Sequence, residues 1–268
     1  MRHPSGEPIQ FLAVGHVSVD RVDGVRRVGG AATYAALAAQ HLGCKVGLVT
    51  SAGPDFPYWD TFGAIAVRNV PASQTTEFEN TYESGARRQR VRQVAATINP
   101  NHLAGLDLAQ DAAVLYCPIV HEIGAPFVAL APRGLCGVTP QGFFRQWDDR
   151  GHVFFAEWPD ADKALSRVHV VCMSEEDAPV PEELAERFKG TAFVITRGEK
   201  GCRIYAGLDE YNFPAVPARV VDPTGAGDVF AAAFLVALRA RKALPQAAHL
   251  AARAASMAVE TKGVGAFS

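Results

Sequence analysis

The sequence predicts an α/β fold: a mostly parallel central sheet, helices on both faces and a small β lid. Three observations predict it. The chain opens on a β-α-β pattern, with an apolar run at 11–15, an Ala-rich segment at 31–42 that is apolar all round and closed by Gly43, and a second run at 46–50. Such a unit places two parallel strands beside one crossover helix. Short apolar runs then recur at 112–116, 136–138, 153–155, 168–172 and 193–196, and the chain ends in two helical segments at 226–241 and 245–259. Between them, 75–96 mixes β-branched, aromatic and charged residues around a turn at Ser84 and Gly85, the pattern of an exposed hairpin.

The remaining elements follow from local chemistry. Pro179 and Pro181 delay the helix that precedes Phe188. Residues 201–206 and 210–216 form an antiparallel pair. With 268 residues the chain suits one large domain, 1–268, with the lid at 74–97 inside it. A net charge of −2 argues against a nucleic-acid partner. Cys44, Cys117, Cys136, Cys172 and Cys202 show no metal-ligand spacing and several sit in apolar runs, as buried free thiols do. No stretch reaches the roughly 18 apolar residues of a membrane span, and residues 1–10 lack an apolar signal core, so a soluble, cytoplasmic protein is expected.

The strongest chemical signal is Asp222-Pro223-Thr224-Gly225-Ala226-Gly227-Asp228 ahead of an apolar helix. Two glycines let the backbone approach a ligand, and the amides there point out of a helix amino terminus, a seat for phosphate. Asp228, in the first turn, lies beside that seat and can accept a hydroxyl proton while the backbone steadies phosphoryl oxygens. An Asp in a first turn is also a common partner of the helix dipole.

This string resembles the second signature of the ribokinase (PfkB) family of carbohydrate kinases. Gly29-Gly30 and the Ala-rich helix after them resemble the first signature. Asp20 sits where the family places its substrate-binding aspartate, Gly53 and Asp55 fit a G-x-D element, and Thr196-Arg197-Gly198-Glu199-Lys200-Gly201 matches the T-x-G-x-x-G turn along the nucleotide. The landmarks keep the family's order along nearly the whole chain. The resemblance implies a three-layer ribokinase-like (Rossmann-like) fold and a kinase using ATP with Mg²⁺. It implies Asp228 as catalytic base, Gly225, Ala226 and Gly227 as anion hole, and Asp20, Gly29 and Gly30 as substrate-binding. Thr196 and Gly198, with Thr224, would line the nucleotide site. Asp222 and Thr224, with backbone from 258–263, resemble a K⁺ site of some members. The partner is a small polyol, and the protein a monomer or homodimer.

Three features depart from the family pattern. Ser174-Glu175-Glu176-Asp177 stands for N-x-x-E: Asp177 orders Mg²⁺ through water, or the stretch is a Ser cap with acidic first-turn residues. Tyr34 takes the place of a sugar-binding Asn, as substrate contact or as core. The short segment between Asp20 and Gly29 implies a reduced lid, built mainly from 75–96. There Arg88, Arg90 and Arg92 share one strand face and Arg87 the other; they face an anion or form a solvated face. Residues 75–90, with Gln141-Gly142-Phe143, are similar to the inositol-kinase-like branch, which makes a cyclitol the first substrate guess. His121-Glu122 reads as loop polarity rather than a metal pair. Gly263-Val264-Gly265 has no helix after it and cannot bind a dinucleotide. The rival reading is a catalytically silent sugar- or nucleotide-binding regulator on the same fold, motivated by Ser174 and Tyr34; a dehydrogenase is a remote third.

Overall fold

The computed structural model describes residues 1, 3–83, 86–128 and 134–267, with backbone alone at 82, 83, 86, 87, 125 and 126. The strands are β1 Ile9–Val14, β2 Ser18–Val22, β3 Val25–Gly29, β4 Val46–Ala52, β5 Ala66–Pro71, β6 Thr76–Glu83, β7 Ala86–Gln93, β8 Leu108–Tyr116, β9 Leu135–Val138, β10 Arg145–Trp147, β11 Val153–Phe155, β12 Val170–Ser174, β13 Ala192–Thr196, β14 Cys202–Ala206 and β15 Asp209–Phe213. The helices are α1 Ala31–His41, α2 Ala125–Val128, α3 Ala161–Leu165, α4 Pro181–Arg187, α5 Ala226–Arg239 and α6 Leu244–Ala258.

The nine-stranded sheet runs β15-β14-β13-β12-β9-β8-β1-β4-β5. From β13 to β5 every pairing is parallel, and β14 and β15 fold back antiparallel. Parallel strands bury both faces, so successive residues enter different cores. Phe11 and Ala13 of β1, and Ala113 and Leu115 of β8, meet α1, α5 and α6; Leu12, Val14, Val114 and Tyr116 meet the layer of α3 and α4. The predominantly apolar α1 and α5 are central to the first layer: Ala32, Ala35, Ala231, Ala232 and Phe234 are fully buried. All five cysteines are buried and free.

Two parts of the sequence reading change. Val153–Phe155 is a strand, but it pairs with β10 in a separate two-stranded sheet rather than in the central one. The segment 18–29 is a full hairpin, so the second sheet has four strands, ordered β3-β2-β6-β7. Its turn is Asp23-Gly24, with φ of 50° and 77°, the Asp-Gly chemistry that favours two-residue hairpins. β5, an edge strand of mixed polarity, was also missed. The turn expected at Ser84–Gly85 lies outside the described residues. No helix among the described residues is long and apolar enough to cross a membrane.

Phe234 is fully buried on α5 and stacks with Phe230 at a ring separation of 6.1 Å. Phe234→Ala should cost about 3–5 kcal/mol of stability, read as a lower urea midpoint at unchanged slope.

Candidate functional site

The site lies at the carboxyl edge of the parallel strands, where α5 begins. Gly225 caps that helix in the left-handed conformation, φ 78°. A methyl group there would lie 2.3 Å from Tyr34 Cδ1, so only glycine lets the turn rest on the phenol ring. The Ala226 N–H closes the turn onto the Pro223 carbonyl at 3.3 Å. Among the described residues, the N–H groups of Gly225, Gly227 and Asp228 meet no protein acceptor. Gly227 is exposed, with open space where a side chain would stand. The helix therefore presents donors and the positive end of its dipole to the outside.

Asp228 follows directly. The residue keeps some solvent access, yet the atoms around its carboxyl desolvate it. Burial first, then the like charge of Asp177, pushes its pKa up to about 7, against the opposing pull of Arg145. Asp177 is itself raised by burial, although it accepts the Ser174 N–H at 2.8 Å and the Gln141 amide at 3.0 Å. These bonds close a turn after β12; α4 starts only at Pro181, so Ser174 caps no helix. Ser174 Oγ instead accepts the Glu176 N–H at 3.2 Å. Arg145, at the start of β10, balances both carboxylates and stands 6.0 Å from the Phe78 ring of β6.

Across from α5 stands the inner face of the four-stranded sheet. Asp20, Arg27, Tyr34, Asn80, Asp222 and Thr224 line a narrow pocket between the two. Asp20 Oδ1 accepts the Ser18 hydroxyl at 2.8 Å. Gly29 lies against that carboxylate: a methyl group there would fall 2.4 Å from Asp20 Cγ. Gly30 caps α1, which carries Tyr34. The Tyr34 hydroxyl is held protonated by burial and by the nearby charges of Asp20, Asp222 and Asp228. Tyr34 is thus both core and pocket wall, 4% exposed.

Thr196 ends β13 and Gly198 opens the following turn with φ 54° and free space before it. The Glu175 N–H bonds the Thr196 carbonyl at 3.0 Å, which joins this turn to the Asp177 turn. Asp55 serves the scaffold, accepting the Thr75 N–H and hydroxyl at 2.9 and 2.7 Å. Glu122, too, is structural: it accepts the N–H groups of His16, Ile119 and Val120.

Lid residues Arg90 and Arg92 form an ion-pair network rather than an anion site. Arg92 pairs with Glu79 at 2.7 Å, Arg90 with Glu79 at 3.8 Å, and Arg21 with Glu77 at 3.0 Å. Glu77 and Glu79 alternate with Phe78 and Asn80, so this network occupies the sheet face opposite Asn80 and Asp20. The Arg87 side chain lies outside the described residues. Sequence reasoning missed Arg27, Asn80 and Arg145; the Asp23-Gly24 hairpin signal could have found Arg27, and no local pattern marks the other two.

No cluster of three or more His, Cys, Asp or Glu side chains that could hold a metal gathers among the described residues. Asp177 and Asp228 fit a Mg²⁺ held mostly by phosphate and water. Beside Asp222 a monovalent cation would meet a charge already in place, the Arg27 guanidinium. Each of its oxygens already accepts an N–H, from Thr224 and from Gly263, both at 3.0 Å, and Arg27 Nη1 stands 3.7 Å from Oδ2.

A sequence model described as the pfkB family carbohydrate kinase matches residues 157–268. The chain is 27% identical over 266 residues to the cytidine kinase of Thermococcus kodakarensis, across 90% of this chain and 93% of that protein. It is 31% identical over 262 residues to the inositol 3-kinase of Oryza sativa subsp. japonica, across 90% of this chain and 64% of that protein. It thus spans under two thirds of the rice enzyme's length. A solved pyrophosphate-dependent kinase of the ribokinase family, complexed with a pyrophosphate analog and myo-inositol, has the same fold: TM-score 0.81, 21% identity, 94% of this chain and 96% of that one. Over residues 157–268 the chain is similar to the PfkB family of carbohydrate kinases. The matched segment contains α5, its amide seat and Asp228, together with Asp177 and the Thr196 turn.

The folded-state pKa of Asp228 lies above its ordinary value, so protonation favours the native state. That stability is present in acid and is lost as pH rises through about 7. Asp228→Asn should therefore melt near wild type in acid and above it in alkali; parallel melting-temperature curves across pH would contradict the buried, coupled carboxylate.

Proposed function

We propose that this chain is a PfkB-type kinase that moves the terminal phosphoryl group of ATP to a hydroxyl of a small polyol, with a cyclitol as the first acceptor to test. The observation that carries the reading is a desolvated carboxylate, Asp228, beside helix amides that no protein acceptor occupies. Asp228 would take the acceptor proton, and a pKa near 7 suits a base working near neutrality. Gly225, Ala226 and Gly227 would steady the moving phosphoryl oxygens. Asp20, Gly29, Gly30 and Tyr34 would hold acceptor hydroxyls from the opposite wall, with Asn80 beside them. Thr196, Gly198 and Thr224 would line the donor. Mg²⁺, near Asp177, would neutralise donor phosphate charge.

The rest of the reading follows. Residues 1–268 act as one catalytic domain, and strands at 74–97 with the 18–29 hairpin act as its lid. A cytoplasmic monomer or homodimer is proposed, without nucleic-acid or membrane partners. Arg145 would offset the two carboxylates, since donor phosphates cannot approach a doubly negative wall cheaply. A nucleotide donor is supported by the open Gly198 turn and by exposed apolar Val220 and Val221, just before Asp222, and Met257, near the end of α6. Pyrophosphate is the second donor to test, because the solved kinase above uses it. A silent binding protein would keep ligand affinity and show no transfer.

Acceptor-dependent ADP or phosphate release, measured with myo-inositol, ribose, fructose, fructose phosphates and nucleosides, tests the reading. Release from ATP with one acceptor is expected; binding without release across the panel would favour the silent regulator. Asp228→Asn should lower kcat by about 10²–10⁴ while ATP binding persists, and near-wild-type turnover would remove Asp228 as base. Because the base must be ionised, kcat/KM should rise with pH through about 7. Asp177→Asn, which removes the like charge, should move that limb to lower pH.

A further inference from the structure

Arg27 lies on β3 opposite Asp20 in register, within the sheet that faces α5. Its side chain crosses the pocket to the turn before α5, where Nη1 stands 3.7 Å from Asp222 Oδ2. Asp222 orients that turn, because its Oδ1 accepts the Thr224 N–H and its Oδ2 the Gly263 N–H. The neighbouring Val259 carbonyl accepts two N–H groups, of Val221 and Asp222. A bare cation needs converging oxygens with lone pairs to spare, whereas a guanidinium needs only an acceptor face. Here the Val259 carbonyl already serves two donors and each Asp222 oxygen one, and the guanidinium faces Oδ2, so a second cation would meet like charge.

We infer that the Arg27 guanidinium, rather than a monovalent cation, supplies the positive charge beneath the anion-hole turn, and thereby ties the acceptor-binding sheet to that turn. The inference rests on the kinase reading for the word anion hole, though the charge placement itself does not. Its consequence is mechanical. A soluble ion would charge the turn whatever the position of the second sheet. A charge carried on β3 reaches Asp222 only when Asp20, its register partner, also stands over α5. Acceptor contact and the setting of the phosphate seat are therefore one event. Arg27 acts through Asp222 and is a positioning residue. Asp20 of β2 and Tyr34 of α1 line the same pocket, and the charges of Arg27, Asp20, Asp222 and Asp228 all act on the Tyr34 hydroxyl.

The test is a potassium titration of the wild-type protein at constant ionic strength, with tetramethylammonium as the replacing ion. Turnover should change by less than about twofold, and the melting temperature should not depend on which cation is present. Potassium activation beyond about twofold, or a potassium-specific rise in melting temperature, overturns the inference. Arg27→Gln should lower kcat about tenfold and raise the acceptor KM, with partial recovery in dilute guanidinium ion and near-full activity in Arg27→Lys. An unchanged kcat in Arg27→Gln also overturns it. If Arg27→Gln fails to fold, Arg27→Lys and the wild-type salt series decide. If wild type transfers no phosphoryl group at all, the kinase reading fails, while the melting-temperature series still decides where the charge comes from.

Discussion

Everything at the site depends on the amino end of α5 staying open while its surroundings stay dry. Gly225 makes this possible by turning left-handed against the Tyr34 ring. The ring seals the turn from one side, and the N–H groups of Gly227 and Asp228 remain without protein acceptors on the other. An apolar helix behind them keeps the local dielectric low, so the dipole and the Asp228 charge are both felt strongly. The same dryness raises the Asp228 pKa toward neutrality. Open donors and a raised carboxyl are thus two results of one packing arrangement.

The second sheet contributes the opposite wall, and it is held by buried polar contacts rather than by a core of its own. His16 lies between β1 and β2, fully buried, with Nδ1 on the Thr76 hydroxyl and Nε2 on the Ala96 carbonyl, both at 2.8 Å. Its own N–H is fixed by Glu122 at 2.9 Å. The Ser51 hydroxyl receives the Ala96 N–H, and Asp55 receives Thr75. Each contact joins the end of a central strand to an entry or exit of β6 and β7. Such satisfied buried groups specify position more than they add stability. They place Asp20 and Arg27 over the α5 turn, while the Glu77 and Glu79 network stiffens the far face.

Much of this was legible in the sequence because the relevant signals are local. A seven-residue glycine string before an apolar helix can be read as a phosphate seat without knowing what surrounds it. The β-α-β opening and the recurring apolar runs are likewise periodicities within short windows. Residues 18–29 escaped because two five-residue strands carry arginines and little apolar character, so only the Asp23-Gly24 turn marked them. Arg145 and Asn80 escaped for another reason. Each sits in an unremarkable stretch and gains importance from residues distant in sequence, Arg145 from Asp228 and Asn80 from Asp222 and Thr224, which line the same pocket.

The amino-acid sequence by itself determined the family resemblance, the fold class and the location of the glycine-rich turn, because these follow from residue type and spacing along a few adjacent positions. The tertiary structure alone decided what faces that turn. It set Asp177 near enough to Asp228 to shift its proton affinity, brought Arg27 onto Asp222 where an ion had been expected, and turned Arg90 and Arg92 away onto glutamates. Electrostatic coupling depends on distance and dielectric, and neither quantity exists until distant segments have been packed together.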